Sequence, residues 1–560
     1  MENSIVENSC DILALFYILS IFITEIQYLS WGKVNFFSLL ISLFLALILN
    51  FILNSRKGYV LGKEFKAFFV FTFFYFIVLY VYLYAFPFFP LYFSVDFVVH
   101  LSNSLNLINN IKITHVPPVN AGISLLLAGW LSLSFENILF FSRVFIAFVI
   151  WSSLPFVYFL GNYAHRYYGG IVASFFYVLL NPFLFATLMS TGIYANALGL
   201  TLGLATIYWF IITLTNPSRI RVLFAPLFGF ALLLAHSSDI LIYLTVTCGT
   251  FYLIFFEHHY NIVNISIKFL FCLFLGALIT FALNPLLILR LPSTLTSSFV
   301  QILIYSNEFL VYLLREIPLL QNIYIYSQEN IFVLILFVIT VLSSFLSFLK
   351  KRLGIGIFPF SWLMLIIVVS FFSTNVWRFA LLAFIPFCLL TPLVFEKVLL
   401  PLGRRLVNIM PSGGFRKAFR VLLVVFCILL FYLPSYANII VPIYASSWSR
   451  PQQEGFYDCL VWFRDYSEPD AVVVCVGGGT YMRFLPVVAN RTFLEAFPGV
   501  LPEFVYDVLK NYSSGYVVVW NRLHPYNGSF YYVDFYKNCS LFREVWANSE
   551  VTVFKLVKRE

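Results

Sequence analysis

The chain has 560 residues, of which 61% are hydrophobic, 20% aromatic and only 11% charged, and its mean hydropathy is +0.91. Soluble domains carry about 25% charged residues, so the composition excludes a soluble globular protein and indicates a polytopic membrane protein. The net charge of +9 comes from basic residues in short loops between apolar segments. The sequence has no basic groove with interleaved aromatic residues, so nucleic acid is not an expected partner.

Hydropathy windows of about 20 residues predict a polytopic α-helical protein with about thirteen transmembrane helices. The predicted spans lie near residues 11–30, 35–54, 65–86, 138–160, 170–188, 196–215, 222–235, 240–256, 268–289, 331–349, 354–372, 376–396 and 421–444. A further apolar run, 119–133, is shorter. If this run does not cross the membrane, the short basic loops all fall on one side. The positive-inside rule therefore predicts a half-inserted or surface helix there, a cytoplasmic N-terminus and an extracytoplasmic C-terminal domain.

The composition changes to a soluble pattern at about residue 446. The sequence therefore predicts a transmembrane domain over 1–445, with an external catalytic loop at about 88–137, and a small extracytoplasmic α/β domain over 446–560. Strands are expected at 471–476 and 515–520, a helix at 503–510, and a hairpin of 542–546 with 551–557. The glycines at 477–479 lack the ending of a P-loop and the spacing of a dinucleotide fingerprint. They are interpreted as a strand-to-helix turn.

Sequons and cysteines add two expectations for the C-terminal domain. Four Asn-X-Ser/Thr triplets suit a surface that meets a glycosylation machinery, and they begin at Asn490, Asn511, Asn527 and Asn538. The cysteines there are Cys459, Cys475 and Cys539. Their number is odd and they lack metal-ligand spacing, so the sequence leaves a disulfide open. Cys475 lies in an apolar run and is expected to be buried.

Several ionisable residues lie near the external ends of the predicted spans. Asp96 and His100 are four residues apart, so a helix presents both on one face. Ionisable groups at a membrane boundary are functional hypotheses by default, although a solvated turn is the alternative. The arginines Arg143, Arg290 and Arg378 either bind an anion or snorkel to the interface. His236 could bind a cation or a phosphate, and an ordinary helix cap by its neighbours is the alternative.

The ordered set of motifs resembles the GT-C superfamily of integral-membrane glycosyltransferases, with a fold like that of protein mannosyltransferases and aminoarabinose transferases. The resemblance rests on an acidic external loop at 94–100, Pro117-Pro118 before the short helix, Arg143, a basic turn at 165–169, segments 192–196 and 234–236, Trp377-Arg378-Phe379 before Pro386, and the segment 459–464. The two spans that precede the Asp96 loop depart from the simplest members, which place this loop after the first span.

The resemblance implies an inverting glycosyltransferase that moves a hexosyl or pentosyl group from a polyprenyl- or dolichyl-phosphate-linked donor to a glycan, lipid or protein acceptor. Such reactions serve protein glycosylation or the cell envelope. Asp96 is expected to be the base or a metal ligand, and His100 to orient it or to share a divalent cation, Mg²⁺ or Mn²⁺. The donor phosphate is expected to contact Arg378, Arg143, Arg290 and His236.

Oligosaccharyltransferase catalytic subunits carry a Trp-Trp-Asp motif after the first strand of the external domain. Here that position holds Val-Gly-Gly-Gly at 476–479, so sequon-directed transfer is not expected. Two other classes remain as alternatives. A transporter or flippase predicts inverted repeats and broken helices that meet near the membrane midplane, whereas the sequence shows no internal symmetry and its polar residues gather on one side. A non-catalytic scaffold with an external binding domain would leave Asp96, His100 and Arg378 without a role.

Overall fold

The structure is a computed structural model. It describes residues 3–31, 33–54, 59–60, 63–85, 95–108, 121–133, 138–165, 168–179, 194–235, 240–283, 331–370, 376–401, 403, 405, 450–476, 479–496, 501–522 and 532–557. The helices of the apolar part are α1 Ile5–Trp31, α2 Phe37–Asn54, α3 Lys63–Ala85, α4 Val95–Ile108, α5 Ala121–Leu131, α6 Ile138–Trp151, α7 Ser153–Ala164, α8 Gly169–Leu179, α9 Tyr194–Thr215, α10 Arg219–Leu223, α11 Ala225–Ala235, α12 Ile240–Phe255, α13 Val263–Leu283, α14 Ile331–Leu349, α15 Ile357–Ser370 and α16 Val376–Val394.

Short helical turns join some of these helices. Two 3₁₀ turns occupy Tyr260–Ile262 and Gly354–Gly356, and a π-helical turn over Phe395–Leu399 follows α16. Every predicted span except 421–444, which lies outside the described residues, contains helix over its described part. Among the described residues, 5 helices are long and apolar enough to cross a membrane, and several shorter apolar helices accompany them. The protein is therefore an integral membrane protein, and the number thirteen stays a prediction.

A buried polar network ties together the start of α1, the end of α2 and helix α10. Arg221 Nη2 lies 3.3 Å from Asp11 Oδ2, and both side chains are almost fully buried. Tyr208 donates a hydrogen bond of 2.7 Å to Asp11 Oδ1, and Asn54 Nδ2 donates one of 3.0 Å to Asp11 Oδ2. A buried charge is costly unless it is paired, so this network fixes one end of the bundle.

Other basic loops lie at the same end of the bundle. The last turns of α7 reach this level, because the Phe159 ring lies 4.8 Å from the Tyr208 ring. His165 follows α7, and its ring lies next to Gly356, which belongs to the loop between α14 and α15. Glu257, in the loop between α12 and α13, accepts a hydrogen bond of 2.8 Å from Gly354 N. The described parts of the predicted cytoplasmic loops therefore share one end, as the charge bias predicts.

The opposite end carries the loop between α1 and α2, together with α4 and α5. Val34 N donates a hydrogen bond of 3.0 Å to Leu107 O. The start of helix α5, which has 11 residues, lies at this end of the bundle, because Gly122 contacts Leu234 and Ala235 at the end of α11. Trp130 of α5 donates a hydrogen bond of 3.1 Å to Phe141 O near the start of α6. The run 119–133 therefore does not cross the bundle, as predicted.

Two glycines allow α11 and α13 to pack at very short distance. A Cβ atom at Gly229 would overlap the carbonyl oxygen of Leu273, and a Cβ atom at Gly276 would overlap that of Pro226. Small residues at such positions let helix backbones approach closely, which is the main way in which helices gain packing energy in a membrane. This contact fixes α11, whose last residues lie against α5.

The C-terminal part contains a five-stranded mixed sheet with the strand order β4-β3-β5-β7-β6. Its strands are β3 Val472–Val476, β4 Thr492–Ala496, β5 Gly515–Trp520, β6 Phe542–Ala547 and β7 Val551–Leu556, while β1 Asn3–Ser4 and β2 Tyr59–Val60 form a separate parallel pair near the N-terminus. Strands β3, β4 and β5 are parallel, and β7 runs antiparallel to β5 and β6. The helices of this part are α17 at 450–466, α18 Gly479–Met482, α19 Leu485–Val488, α20 Pro502–Leu509 and α21 Tyr532–Lys537.

Both faces of this sheet are covered. Alternate residues of β3 and β5 divide between two apolar clusters, one shared with α17 and one with α20 and α21. The predicted strands, the helix at 503–510 and the closing hairpin are confirmed, and so is the burial of Cys475. The cysteines in the described part are free, so none of them forms a disulfide there. Strand β4 was not predicted.

The sheet is docked on the membrane helices through α19 and α17. Helix α19 packs against α4, which carries Asp96 and His100. The Arg450 guanidinium, at the start of α17, lies 4.4 Å from the centroid of the Tyr84 ring at the end of α3. The sheet, the loop between α1 and α2, and helix α4 therefore share one side of the bundle, opposite the basic loops.

Candidate functional site

The first part of the site is the seam between α4 and α5. His100 is 4% exposed, and its Nδ1 atom lies 3.2 Å from Ser124 Oγ. Ser104 Oγ donates hydrogen bonds to the carbonyl oxygens of His100, at 2.7 Å, and Ser124, at 3.0 Å. Buried polar groups need such partners, so these bonds set the relative position of the two helices and of the imidazole.

Helix α6 contributes a fully buried arginine. Arg143 has no exposed surface, and it is among the largest fully buried side chains of the protein. Snorkelling to the interface does not describe this residue, because a snorkelling side chain keeps its head group in water. A permanently charged guanidinium inside a membrane bundle is expensive, which makes Arg143 a candidate for a functional role.

Helix α9 runs beside α6 and brings a buried amide to the same depth. Thr201 Oγ1 donates a hydrogen bond of 3.1 Å to Val149 O, which fixes the register of the two parallel helices. Counting back along each helix from this bond, Arg143 and Asn196 lie about one and a half turns nearer the sheet side. Asn196 is 5% exposed.

These helices converge on one polar layer. Helix α5 packs against α4, α6, α9 and α11, and α4 also touches α9. The layer lies close to the helix ends on the sheet side, since Arg143 is only five residues from the start of α6. At about 1.5 Å per residue this is a depth of roughly 8 Å. The buried polar members of the layer are His100, Asn103, Ser104, Ser124, Ser142, Arg143 and Asn196.

The predicted residues divide into three groups. His100 and Arg143 lie in the polar layer. Asp96 lies in the first turn of α4 and Arg378 in the first turn of α16, and their side chains are outside the described part. Arg290 and His236 lie outside the described residues, although Ala235, the last residue of α11, is in contact with Gly122 near the start of α5.

Sequence reasoning missed Ser104 and Ser124 as members of the site. A serine within an apolar helix gives little signal, because it satisfies itself on the preceding turn as readily as it binds another helix. Ser124 lies in α5, a helix whose other residues are apolar. One sequence signal could have pointed to Ser124. The apolar run 119–133 is short and lies between two predicted loops, so it is expected to pack against them.

The described residues contain no group of three or more His, Cys, Asp or Glu side chains that could hold a metal ion. This observation does not test Asp96 as a metal ligand, because its side chain is outside the described part. His100 Nδ1 faces Ser124 Oγ, so His100 and Asp96 do not by themselves make up a complete ligand set for Mg²⁺, which demands octahedral geometry. The divalent cation stays a prediction.

No family model matches the sequence, and no curated protein matches it either. Solved structures do match. The chain is similar to ArnT from Cupriavidus metallidurans in the apo state, with 12% identity over 87% of this chain and 97% of that chain, and a TM-score of 0.49. It is also similar to the Archaeoglobus fulgidus oligosaccharyltransferase in complex with Zn and sulfate, with 13% identity, 80% and 68% coverage, and a TM-score of 0.51.

A third similar structure is the archaeal oligosaccharyltransferase AglB from Archaeoglobus fulgidus, in complex with an inhibitory peptide and a dolichol-phosphate. Its identity is 14%, with 80% of this chain and 69% of that chain covered, and its TM-score is 0.46. At these identities the similarity concerns the fold. The Archaeoglobus fulgidus oligosaccharyltransferase structure, with its TM-score of 0.51, supports the fold that the GT-C resemblance predicts.

Proposed function

We propose that the protein is a membrane glycosyltransferase that moves a sugar from a polyprenyl-phosphate-linked donor to an acceptor hydroxyl. The reaction takes place on the side of the membrane that carries the C-terminal sheet, which we infer to be extracytoplasmic. The observation that carries the proposal is the buried polar layer, which contains His100 and Arg143 and lies beneath that sheet. A transporter would place its polar site at the midplane.

The chemistry divides between a base and an anion-binding group. Asp96 removes the proton from the acceptor hydroxyl, whose oxygen then attacks the anomeric carbon of the donor sugar from the face opposite the phosphate. The bond between that carbon and the phosphate oxygen breaks, and both of its electrons leave with the polyprenyl phosphate. One displacement inverts the anomeric configuration, so a single base suffices.

His100 acts as a positioning residue in this scheme. It lies one turn after Asp96 on the same face of α4, and Ser124 holds its Nδ1 edge. The imidazole thereby keeps the start of α4 oriented toward the polar layer. Its neutral form accepts or donates one hydrogen bond on the remaining nitrogen, which can align a carboxylate.

The departing phosphate needs cations that are already in place. Arg143 is buried within the layer, and Arg378 begins α16 at the same end of the bundle. In a site of low dielectric constant, a fixed guanidinium stabilises developing negative charge far better than it would in water. Arg290 and His236 are further candidates for this role. The donor lipid then lies along the helices while its phosphate meets these groups at the headgroup level.

The test is transfer of radiolabelled sugar from a polyprenyl-phosphate-sugar donor by the purified full-length protein. Asp96→Asn should abolish transfer, because an amide cannot accept the proton, while the elution profile and thermal unfolding stay unchanged. Near-normal transfer by this variant would remove Asp96 from the mechanism. Absence of transfer by the wild-type protein with every lipid-linked sugar and acceptor would overturn the function itself.

A further inference from the structure

A cavity of about 220 Å³ lies at the junction of the membrane helices and the C-terminal sheet. Its lining side chains come from three helices: Ile138 and Leu139 of α6, Tyr457 and Arg464 of α17, and Val488 of α19. We propose that this cavity binds one uncharged sugar residue of the acceptor. The proposal rests on the proposed function and makes the acceptor a glycan.

The position of the cavity relates it to the polar layer. Leu139 and Arg143 are four residues apart on α6, so they lie on the same helix face about one turn, or roughly 5.4 Å, apart. Leu139 and Arg143 are both buried. A ligand in the cavity therefore lies next to the site where the donor phosphate is proposed to bind.

The lining suits a sugar ring. Three aliphatic side chains and the Tyr457 ring offer apolar surface to the C–H face of a pyranose, and aromatic rings commonly provide such surface at binding sites. Tyr457 and Arg464 are seven residues apart, or about two helical turns, and so share one face of α17. The guanidinium can only donate hydrogen bonds, whereas the tyrosine hydroxyl can donate or accept. Both functions match sugar hydroxyl groups.

The charges around the cavity disfavour a phosphate. Asp465 already neutralises Arg464, with 2.8 Å from Nε to Oδ1 and 3.2 Å from Nη2 to Oδ2. Asp458 stands beside Tyr457 on α17, and partial burial, together with the nearby Glu454 carboxylate, raises the pKa of Asp458. Arg464, the one cation among the five described lining residues, is already paired, so a phosphate in the cavity would meet this negative charge with little to offset it. An uncharged hydroxyl group meets no such penalty.

The size of the cavity limits the ligand to one ring. Pockets for drug-sized ligands measure about 300–1,000 Å³, and this cavity is smaller, at about 220 Å³. The remainder of a longer glycan would extend outward past Arg464, whose side chain is 43% exposed.

Protection of an introduced cysteine tests the proposal without any transfer reaction. In the full-length protein carrying Val488→Cys, we expect methyl glucoside, methyl mannoside or methyl galactoside to slow alkylation of residue 488 at least threefold. Peptide mass spectrometry reads residue 488 separately from the native cysteines. Inorganic phosphate at equal concentration should give no protection. Protection by phosphate, or by none of the three sugars, would overturn the proposal.

A matched pair of tyrosines on α17 controls for general effects on the helix. Adding Tyr457→Phe to Val488→Cys removes a hydroxyl from the cavity and should abolish most of the protection. Tyr466→Phe should leave it intact, because Tyr466 is 74% exposed and does not line the cavity. Equal loss from both substitutions would contradict the assignment. Because the experiment measures sugar binding, its result does not depend on whether the wild-type protein transfers sugar.

Discussion

Ser124 of α5 holds the imidazole of His100 of α4, with 3.2 Å between Ser124 Oγ and His100 Nδ1, and both residues are buried. The two residues lie on the neighbouring helices α4 and α5, at the sheet end of the bundle. The contact therefore turns a short apolar helix into a support for the helix that carries Asp96. A positioning role for His100 depends on this bond.

Ser124→Ala should lower the turnover number about tenfold, while the KM for the donor stays unchanged. The lost hydrogen bond is worth roughly 0.5–1.5 kcal/mol, and a tenfold change in rate corresponds to about 1.4 kcal/mol. Ser124→Thr, which keeps the hydroxyl, should restore much of the rate. Ser132→Ala is the control, because Ser132 Oγ donates a hydrogen bond to Gly129 O, three residues earlier in the same segment. Turnover equal to that of the wild type in Ser124→Ala would show that the bond has no part in positioning.

Arg378 opens α16 at the sheet end of the bundle, and an unsolvated guanidinium there would cost several kcal/mol without an anion. Arg378→Lys keeps the charge but loses the planar fork, so donor affinity should fall markedly. Arg378→Ala should weaken donor binding further, and acceptor binding should change little in both variants. Equilibrium binding of the donor to purified protein measures this, with Arg352→Ala at the opposite end as control. Unchanged donor affinity in Arg378→Ala would remove this residue from the phosphate site.

Much of this architecture could be predicted because its signals are local. Hydropathy alone predicts the apolar helices and the buried β-branched strands β3 and β5. The charge bias of the loops predicts that α5 does not cross the membrane. Strand β4 has no such signal, since Thr492 is exposed and Phe493 and Leu494 are only half-buried. Its place at the edge of the sheet comes from pairing with β3.

The polar contacts within the bundle could not be predicted from local sequence patterns. Asp11 and Arg221 are 210 residues apart, and each sits near the end of an apolar helix where it looks like an ordinary boundary charge. Only the packing of α1 against α9, and of α9 against α10, places them together. The same holds for Arg143, whose sequence context suggested snorkelling as readily as anion binding. Burial depends on which helices surround α6, and hydropathy does not contain that information.

The sidedness of the membrane protein can be tested by labelling of single cysteines. Tyr466→Cys, on the exposed face of α17, should react with an impermeant maleimide in intact cells, whereas Lys351→Cys should react only after the membrane is permeabilised. Lys351 lies in the loop between α14 and α15, at the end of the bundle that carries the basic loops. A variant that lacks the native cysteines supplies the background. Labelling of Lys351→Cys in intact cells would reverse the proposed orientation.

Glu468 links stability of the C-terminal sheet to pH. Ser514 and Tyr516 donate hydrogen bonds of 2.7 and 2.6 Å to its Oε2 atom, and Lys555 pairs with Oε1. Although partial burial raises the pKa of Glu468, these three hydrogen bonds lower it more, to about 2. A carboxyl group whose pKa is depressed on folding stabilises the folded state fully above its unfolded pKa, which is about 4.3 for glutamate.

The stabilisation from Glu468 should therefore disappear as the pH falls from about 4.3 toward 2. We expect amide protection of residues 515–520 and 551–556 to decline over this window, measured by hydrogen exchange on the full-length protein at each pH. Glu468→Gln should lower protection at neutral pH and remove the part of the decline that Glu468 causes, so that the two proteins converge at low pH. Asp507→Asn is the matched control, because Asp507 pairs with Lys510 at an exposed site where an ion pair contributes little. A constant difference between wild type and Glu468→Gln at every pH would contradict the linkage, because a proton taken up by Glu468 must erase that difference.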